Sequence, residues 1–276
     1  MPSCLFAAAA DNSKFMITIS NFNADAYDNY RRDFLSMDFS ANTGARGANS
    51  ADTRNFERET FLEYAATVFS EDIGVYITQT HDASEYKNFI TSIFTELLNI
   101  NADDPVVKLL KYLENESDFF SCPASTKHHS NEPYGLIRHS LLVYSHGLKL
   151  APVMLSGNVD MYYLTVSCLF HDLCKVNMYE MKTRNVKNEE TGNWEKAPYY
   201  RVKDSYLSYG HGVESMLRLN KYIAMPDPWN QAVRWHMGAY DISPLDKVAI
   251  DKALFSFREV LFLHTADMLS VIDEDV

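Results

Sequence analysis

Leu169-Phe170-His171-Asp172-Leu173-Cys174-Lys175 is the stretch that decides the fold. It closes an apolar run that reads as a helix over about 159 to 175, and it puts an imidazole, a carboxylate and an ammonium where core-facing residues are due. At about 3.6 residues per turn, Lys175 lies one turn beyond His171 and Asp172, so all three can face one pocket. An imidazole beside a carboxylate makes a compact chelate for a divalent transition metal. The nearby ammonium can then hold a phosphate oxygen by charge.

A metal needs more than two ligands, and the flanking sequence offers them on separate helices. Apolar spacing predicts helices over about 136 to 151, 211 to 224, 228 to 239 and 251 to 270. His139 is flanked by Leu136, Leu142 and Val143 and should point inward; His211 sits between Gly210 and Gly212, where backbone can approach closely. His236 and Asp267 again place ionisable groups beside apolar positions. One inward histidine is more often a hydrogen-bonded core residue than a ligand. Burying several such groups together without a metal or mutual pairing, however, would cost on the order of several kcal/mol.

Farther out, Met178 to Val202 carries Tyr179, Val186, Trp194, Tyr199 and Tyr200 around a Glu-Glu-Thr-Gly-Asn turn, which predicts a β-hairpin inserted between two candidate ligands. It would be either a lip over the site or an inert surface insertion. Upstream, Phe89, Ile93, Phe94, Leu97 and Leu98 recur at helix spacing, and Pro105 suits a helix start. Phe61, Leu62, Ala65, Val68 and Phe69 suggest an earlier helix, and Lys14 to Ser20 a short strand. The small, polar run from Ser40 to Asn55 reads as a linker or mobile loop.

The 276 residues, 46% of them hydrophobic, can bury a sizeable core. Cysteines 4, 122, 168 and 174 contain no C-x-x-C pair, so neither a disulfide framework nor a thiolate zinc site is expected, and a cytoplasmic setting is the default. No signal segment or membrane span is recognisable. Twenty-five Lys and Arg against 37 Asp and Glu give a formal charge of −12, which opposes attraction of a polyanion and favours a small phosphorylated substrate over nucleic acid. Nothing in the sequence sets the oligomeric state.

The stretches CPASTKHHSNEPYGLIRHSLLVY (122–144), LFHDLCKVNMY (169–179), YGHGVES (209–215), VRWHMG (233–238) and LHTADML (263–269) resemble those of bacterial and phage hydrolases of the HD phosphohydrolase superfamily. They are similar, more distantly, to the HD module of 3′-to-5′ exoribonucleases. The resemblance implies an all-α HD-domain helical bundle over 85–276, with the hairpin as an insertion and residues 1–84 as a poorly defined N-terminal extension.

It further implies that His139, His171, Asp172 and Asp267 hold one metal. His211 and His236 would help hold a second, with Asp172 bridging. Mn, Fe, Ni, Mg and Zn all remain open as the ion. Asp172 and Lys175 would carry the chemistry, and Lys127, His128, His129, Arg138 and Arg234 are candidates for phosphate or substrate contact. Arg138 and Arg234 read equally well as surface charges. Cys174 stands where many HD proteins carry glycine, and is expected to alter local packing without removing a ligand. His264 is expected to support Asp267, and His146 to be exposed.

The expected function is metal-dependent hydrolysis of a phosphate ester or anhydride in a small nucleotide or related metabolite. Two alternatives stand beside it: a 3′-to-5′ exonuclease or phosphodiesterase acting on short oligonucleotides, and a non-catalytic nucleotide-sensing module.

Overall fold

The structure is a computed structural model that describes residues 69–274, with 80, 99, 128–129, 156–158, 190 and 242 excepted, and the backbone of two short strands at 4–7 and 16–19. Those strands, β1 (Cys4–Ala7) and β2 (Met16–Ile19), pair antiparallel, so the strand expected near 14–20 is present. The expected linker at 40–55 and the helical pattern at 61–68 lie outside the described residues.

The described chain is mostly helical. In order come α1 (Ser70–Ile77), α2 (Ala83–Ser92), α3 (Pro105–Asn115), α4 (Gly135–Met154), α5 (Met161–Phe170), α6 (His211–Asn220), α7 (Asp227–Trp235), α8 (Lys247–Ser256) and α9 (Arg258–Glu274). Local chemistry sets several of the starts. Asp82 and Glu85 form a reciprocal capping box on α2. Asp104 caps α3 ahead of Pro105, and Asp160 accepts from the amides of Tyr162 and Tyr163 at α5.

Helix α4 is the central element. It packs against α1, α5 and α9, while α7 packs against α5, α6 and α9. One apolar core runs from Phe69, Ile73 and Phe89 through Leu109, Tyr144 and Phe170 to Trp229 and Phe262. Residues Ile93–Leu97 continue α2 as a π-helical turn, which keeps Ile93 and Phe94 buried.

The single helix expected over 251–270 is in fact two. Phe257 is extended (φ −135°, ψ 117°) between α8 and α9. This break lets Ile250, Ala253 and Val260 close a small second cluster on Trp235, which one straight helix would not do. The expected hairpin is present: β3 (Tyr179–Lys187) pairs antiparallel with β4 (Trp194–Val202), from Tyr179 opposite Val202 to Lys187 opposite Trp194. It is anchored at its base by buried Tyr179, while residues 181–187 along β3 are exposed. Among the described residues, no helix is long and apolar enough to cross a membrane.

Candidate metal centre

Helix α5 ends at Phe170, earlier than its apolar pattern suggests, so His171 and Asp172 occupy a turn and Leu173–Lys175 a short 3₁₀ segment. Arg218 of α6 fixes this turn: Nη1 donates to the carbonyls of Leu173 and Val176 at 3.0 and 2.8 Å, while Nε pairs with Glu214 at 2.6 Å. Helix ends leave carbonyls without intrahelical partners, and here a half-buried guanidinium supplies donors just beyond one.

The six candidate ligands converge at this turn. His139 Nε2 lies 3.3 Å from His171 Nε2, 3.6 Å from Asp172 Oδ2 and 3.2 Å from Asp267 Oδ1. His171 Nε2 is 3.5 Å from Asp172 Oδ2 and 3.7 Å from Asp267 Oδ1. Bonds of about 2.1 Å to one ion place donors ~3.4 Å apart in a tetrahedron and ~3.0 Å apart in an octahedron, so these separations match a coordination shell. His139, His171, Asp172, His236 and Asp267 are all buried.

The outer nitrogens determine what the inner ones offer. His171 Nδ1 donates to Cys168 O at 2.9 Å, and His236 Nδ1 to Val233 O at 2.7 Å. Ser270 Oγ donates to Asp267 O at 2.7 Å; its proton is committed, so at 3.2 Å it accepts from His139 Nδ1. All three rings therefore carry their proton on Nδ1 and turn a lone pair inward from Nε2. Two nitrogen lone pairs and two carboxylate oxygens facing one another repel unless a cation lies between them. A single proton satisfies one pair of acceptors, whereas a divalent ion satisfies all four.

On the other side of Asp172, Oδ1 is 2.6 Å from His211 Nε2 and 3.4 Å from His236 Nε2. Among the described residues the buried His236 Nε2 has no hydrogen-bond partner, unlike a satisfied core histidine. Asp172 thus presents one oxygen to each donor set. Lys175 Nζ lies 2.6 Å from Oδ2.

The charges follow from this packing. Burial pushes the Asp172 carboxyl up, but Lys175, His171 and His211 outweigh it and hold the group well below the usual carboxylate range. Burial likewise disfavours ionised Asp267, yet the close contact with His139 and the neighbouring rings of His171 and His236 lower it. Burial lowers Lys175, and Asp172 with Tyr179 more than restores it, so the ammonium stays charged. For His211, burial is outweighed by Cys174 and Asp172, and the ring is pushed up to about 9.

Two glycines place His211. Gly210 takes φ 99°, a backbone region that favours glycine, immediately before α6. A Cβ on Gly212 would lie 2.0 Å from Arg234 O, so α6 starts in backbone contact with the end of α7 and carries His211 to Asp172.

Of the other expected substrate residues, Arg138 and Arg234 have partners of their own. Arg138 pairs with Glu132 at 2.5 Å. Arg234 lies over the Trp235 ring at 4.3 Å, with Asp246 at 4.0 Å. Lys127 is exposed, and His128 and His129 lie outside the described residues. His264 does not support Asp267: its Nδ1 donates to His236 O at 2.6 Å, because the ring tucks beneath Gly238. His146 is not solvent-exposed but mostly buried against Asp273, at 2.9 Å, because α9 packs along α4.

Sequence reasoning missed Ser270, Ser215, Arg218 and Tyr206. Only Ser270 had a local clue, three residues after Asp267 on a helix.

No family model matches the chain, and neither the curated proteins nor the solved structures contain a match. The resemblance to HD phosphohydrolases rests on the quoted motifs and their order, with which the grouping of buried His and Asp donors is consistent.

Proposed function

We propose that the chain is a metal-dependent phosphohydrolase of HD type, acting at a binuclear centre on a phosphate ester or anhydride in a small nucleotide or related phosphorylated metabolite. The observation that carries this reading is the meeting of four acceptor atoms, from His139, His171, Asp172 and Asp267, around a space of coordination size. Divalent ions bound there would supply hydroxide from water near neutral pH and neutralise charge developing on phosphoryl oxygens.

The protein's own groups do the rest. Lys175 is a buried cation one turn from Asp172 and would hold a phosphate oxygen or the leaving group by charge. Asp172 would span the two ions. The Nδ1 anchors on His139, His171 and His236 keep the rings from turning, so no reorganisation is needed as charge develops. The net charge of −12 supports a small substrate over a polynucleotide. Cys122, Cys168 and Cys174 are free thiols, which supports a reducing setting such as the cytoplasm.

The test is release of phosphate or nucleoside from a panel of nucleotides and short oligonucleotides with Mn, Ni or Mg added, run beside Asp172→Asn. Turnover of mononucleotides that disappears in the variant is the expected result. A preference for oligonucleotides would move the assignment to a nuclease. Metal binding with no turnover of any substrate would make the chain a nucleotide sensor.

A further inference from the structure

Cys174 is out of place as a packing residue. It is 2% exposed, yet its neighbours are polar: Asp172, Lys175, Tyr179, Tyr206 and His211 all interact with it. Cys168 shows the contrast. Its sulfur sits where a Cβ on Gly147 would meet it at 2.7 Å, near Phe262, and burial alone pushes its thiol up. That is a small apolar side chain in a core.

The Cys174 backbone is held from both sides. Its amide donates to Ser215 Oγ at 3.1 Å, and its carbonyl accepts from Tyr206. The backbone at Cys174 is therefore held by two outside elements. One ligand atom from each of Asp172, Cys174 and His211 lies within 4.8 Å of the others. His236 Nε2 also faces Asp172 Oδ1, at 3.4 Å, so Cys174 is a sulfur donor added to the nitrogen and oxygen donors on that side. One tetrahedral ion would set a sulfur-to-nitrogen edge of ~3.6 Å, which falls inside that 4.8 Å spread.

We propose that Cys174 is a metal ligand: with Asp172 and His211 it forms a sulfur, nitrogen and oxygen donor set that takes a thiophilic divalent ion of the zinc type. This rests on the binuclear reading above and goes beyond it by making the two positions chemically unequal. The cluster of His139, His171 and Asp267 is a nitrogen and oxygen set open to many ions, whereas a thiolate selects zinc, or its probes cobalt and cadmium, over magnesium. On binding, the thiol proton passes to solvent and the sulfur forms the bond to the ion, with no change in oxidation state.

The test uses the full chain, stripped with a chelator and titrated with cobalt or cadmium alone. The wild type should show a thiolate-to-metal charge-transfer band, and Cys174→Ser should lose it while still binding the first equivalent. X-ray absorption on the zinc-loaded wild type needs no variant and should show a sulfur neighbour at about 2.3 Å. A band that persists in Cys174→Ser, or two bound ions with only nitrogen and oxygen neighbours, overturns this inference and leaves the phosphohydrolase reading intact. No bound metal in the wild type overturns both.

Discussion

Ser270→Ala tests whether the anchors of the ligand rings govern the centre. In the wild type, Ser270 Oγ gives its proton to Asp267 O at 2.7 Å and accepts from His139 Nδ1 at 3.2 Å. The variant leaves a buried ring N–H without an acceptor, and an unsatisfied buried donor costs about 1–3 kcal/mol. It also frees His139 to turn or change tautomer, and loss of such an outer partner lowers metal affinity by about 10–100-fold. Ser167→Ala is the matched control, since that hydroxyl is equally buried but has no hydrogen-bond partner, and its removal should be neutral or slightly stabilising. Urea unfolding of the metal-free proteins gives the stability difference, and competition against a chelating dye gives affinity. If Ser270→Ala and Ser167→Ala behave alike in both assays, the tautomer argument is wrong.

Lys175→Met should keep both metal equivalents by elemental analysis but lower kcat by about 100-fold or more, as removal of a preorganised charge does elsewhere; unchanged turnover would exclude Lys175 from the chemistry. Gly212→Ala drives a Cβ to 2.0 Å from Arg234 O, so α6 and α7 must part. A loss of about 1–3 kcal/mol is expected in thermal unfolding, with weaker binding of the second ion only. Asp72 is buried with Oδ2 unpartnered among the described residues, and burial, helped by Glu71, raises its carboxyl from 3.8 to about 6. Its folded value lies above its unfolded one, so its stabilising protonated form is complete below about pH 4 and lost as pH rises through 6. Asp72→Asn should therefore stabilise the protein by about 1–2 kcal/mol at pH 7.5, allowing for solvent screening, and leave it unchanged near pH 4. Equal effects at the two pH values would contradict that assignment.

The donors were legible because each is an ionisable residue in an apolar setting, and that anomaly survives in one dimension. His139, His171 and Asp267 needed only helix spacing to be picked out. Grouping was legible only in part. The resemblance put His211 and His236 together, and both rings do face Asp172 Oδ1, but nothing in it gave His211 a cysteine neighbour. Arg138 and Arg234 read equally well as phosphate contacts or surface charges, because their partners, Glu132 and Trp235, are set by surface geometry that spacing does not encode. The break at Phe257 was hidden for a similar reason. Apolar residues continue on both sides of it, and only the tertiary demand of the Trp235 cluster interrupts the helix.

His171 and His236 share a device that explains why the centre forms at helix ends. Each is the first residue after its helix, α5 or α7, and each donates Nδ1 to the carbonyl three residues back, at 2.9 and 2.7 Å. The carbonyls of a last turn lack partners and carry the negative end of the helix dipole. A histidine there meets a carbonyl with Nδ1 and leaves Nε2 to face the cluster. Two helix C-termini directed at one space also favour a cation in it, by roughly 0.3–1 kcal/mol each where partly screened. The same bonds that end the helices thus orient the candidate ligands. Replacing either histidine should therefore fray the last turn of its helix as well as remove a donor, and hydrogen exchange at residues 168–170 or 233–235 of the metal-free protein would separate the two effects.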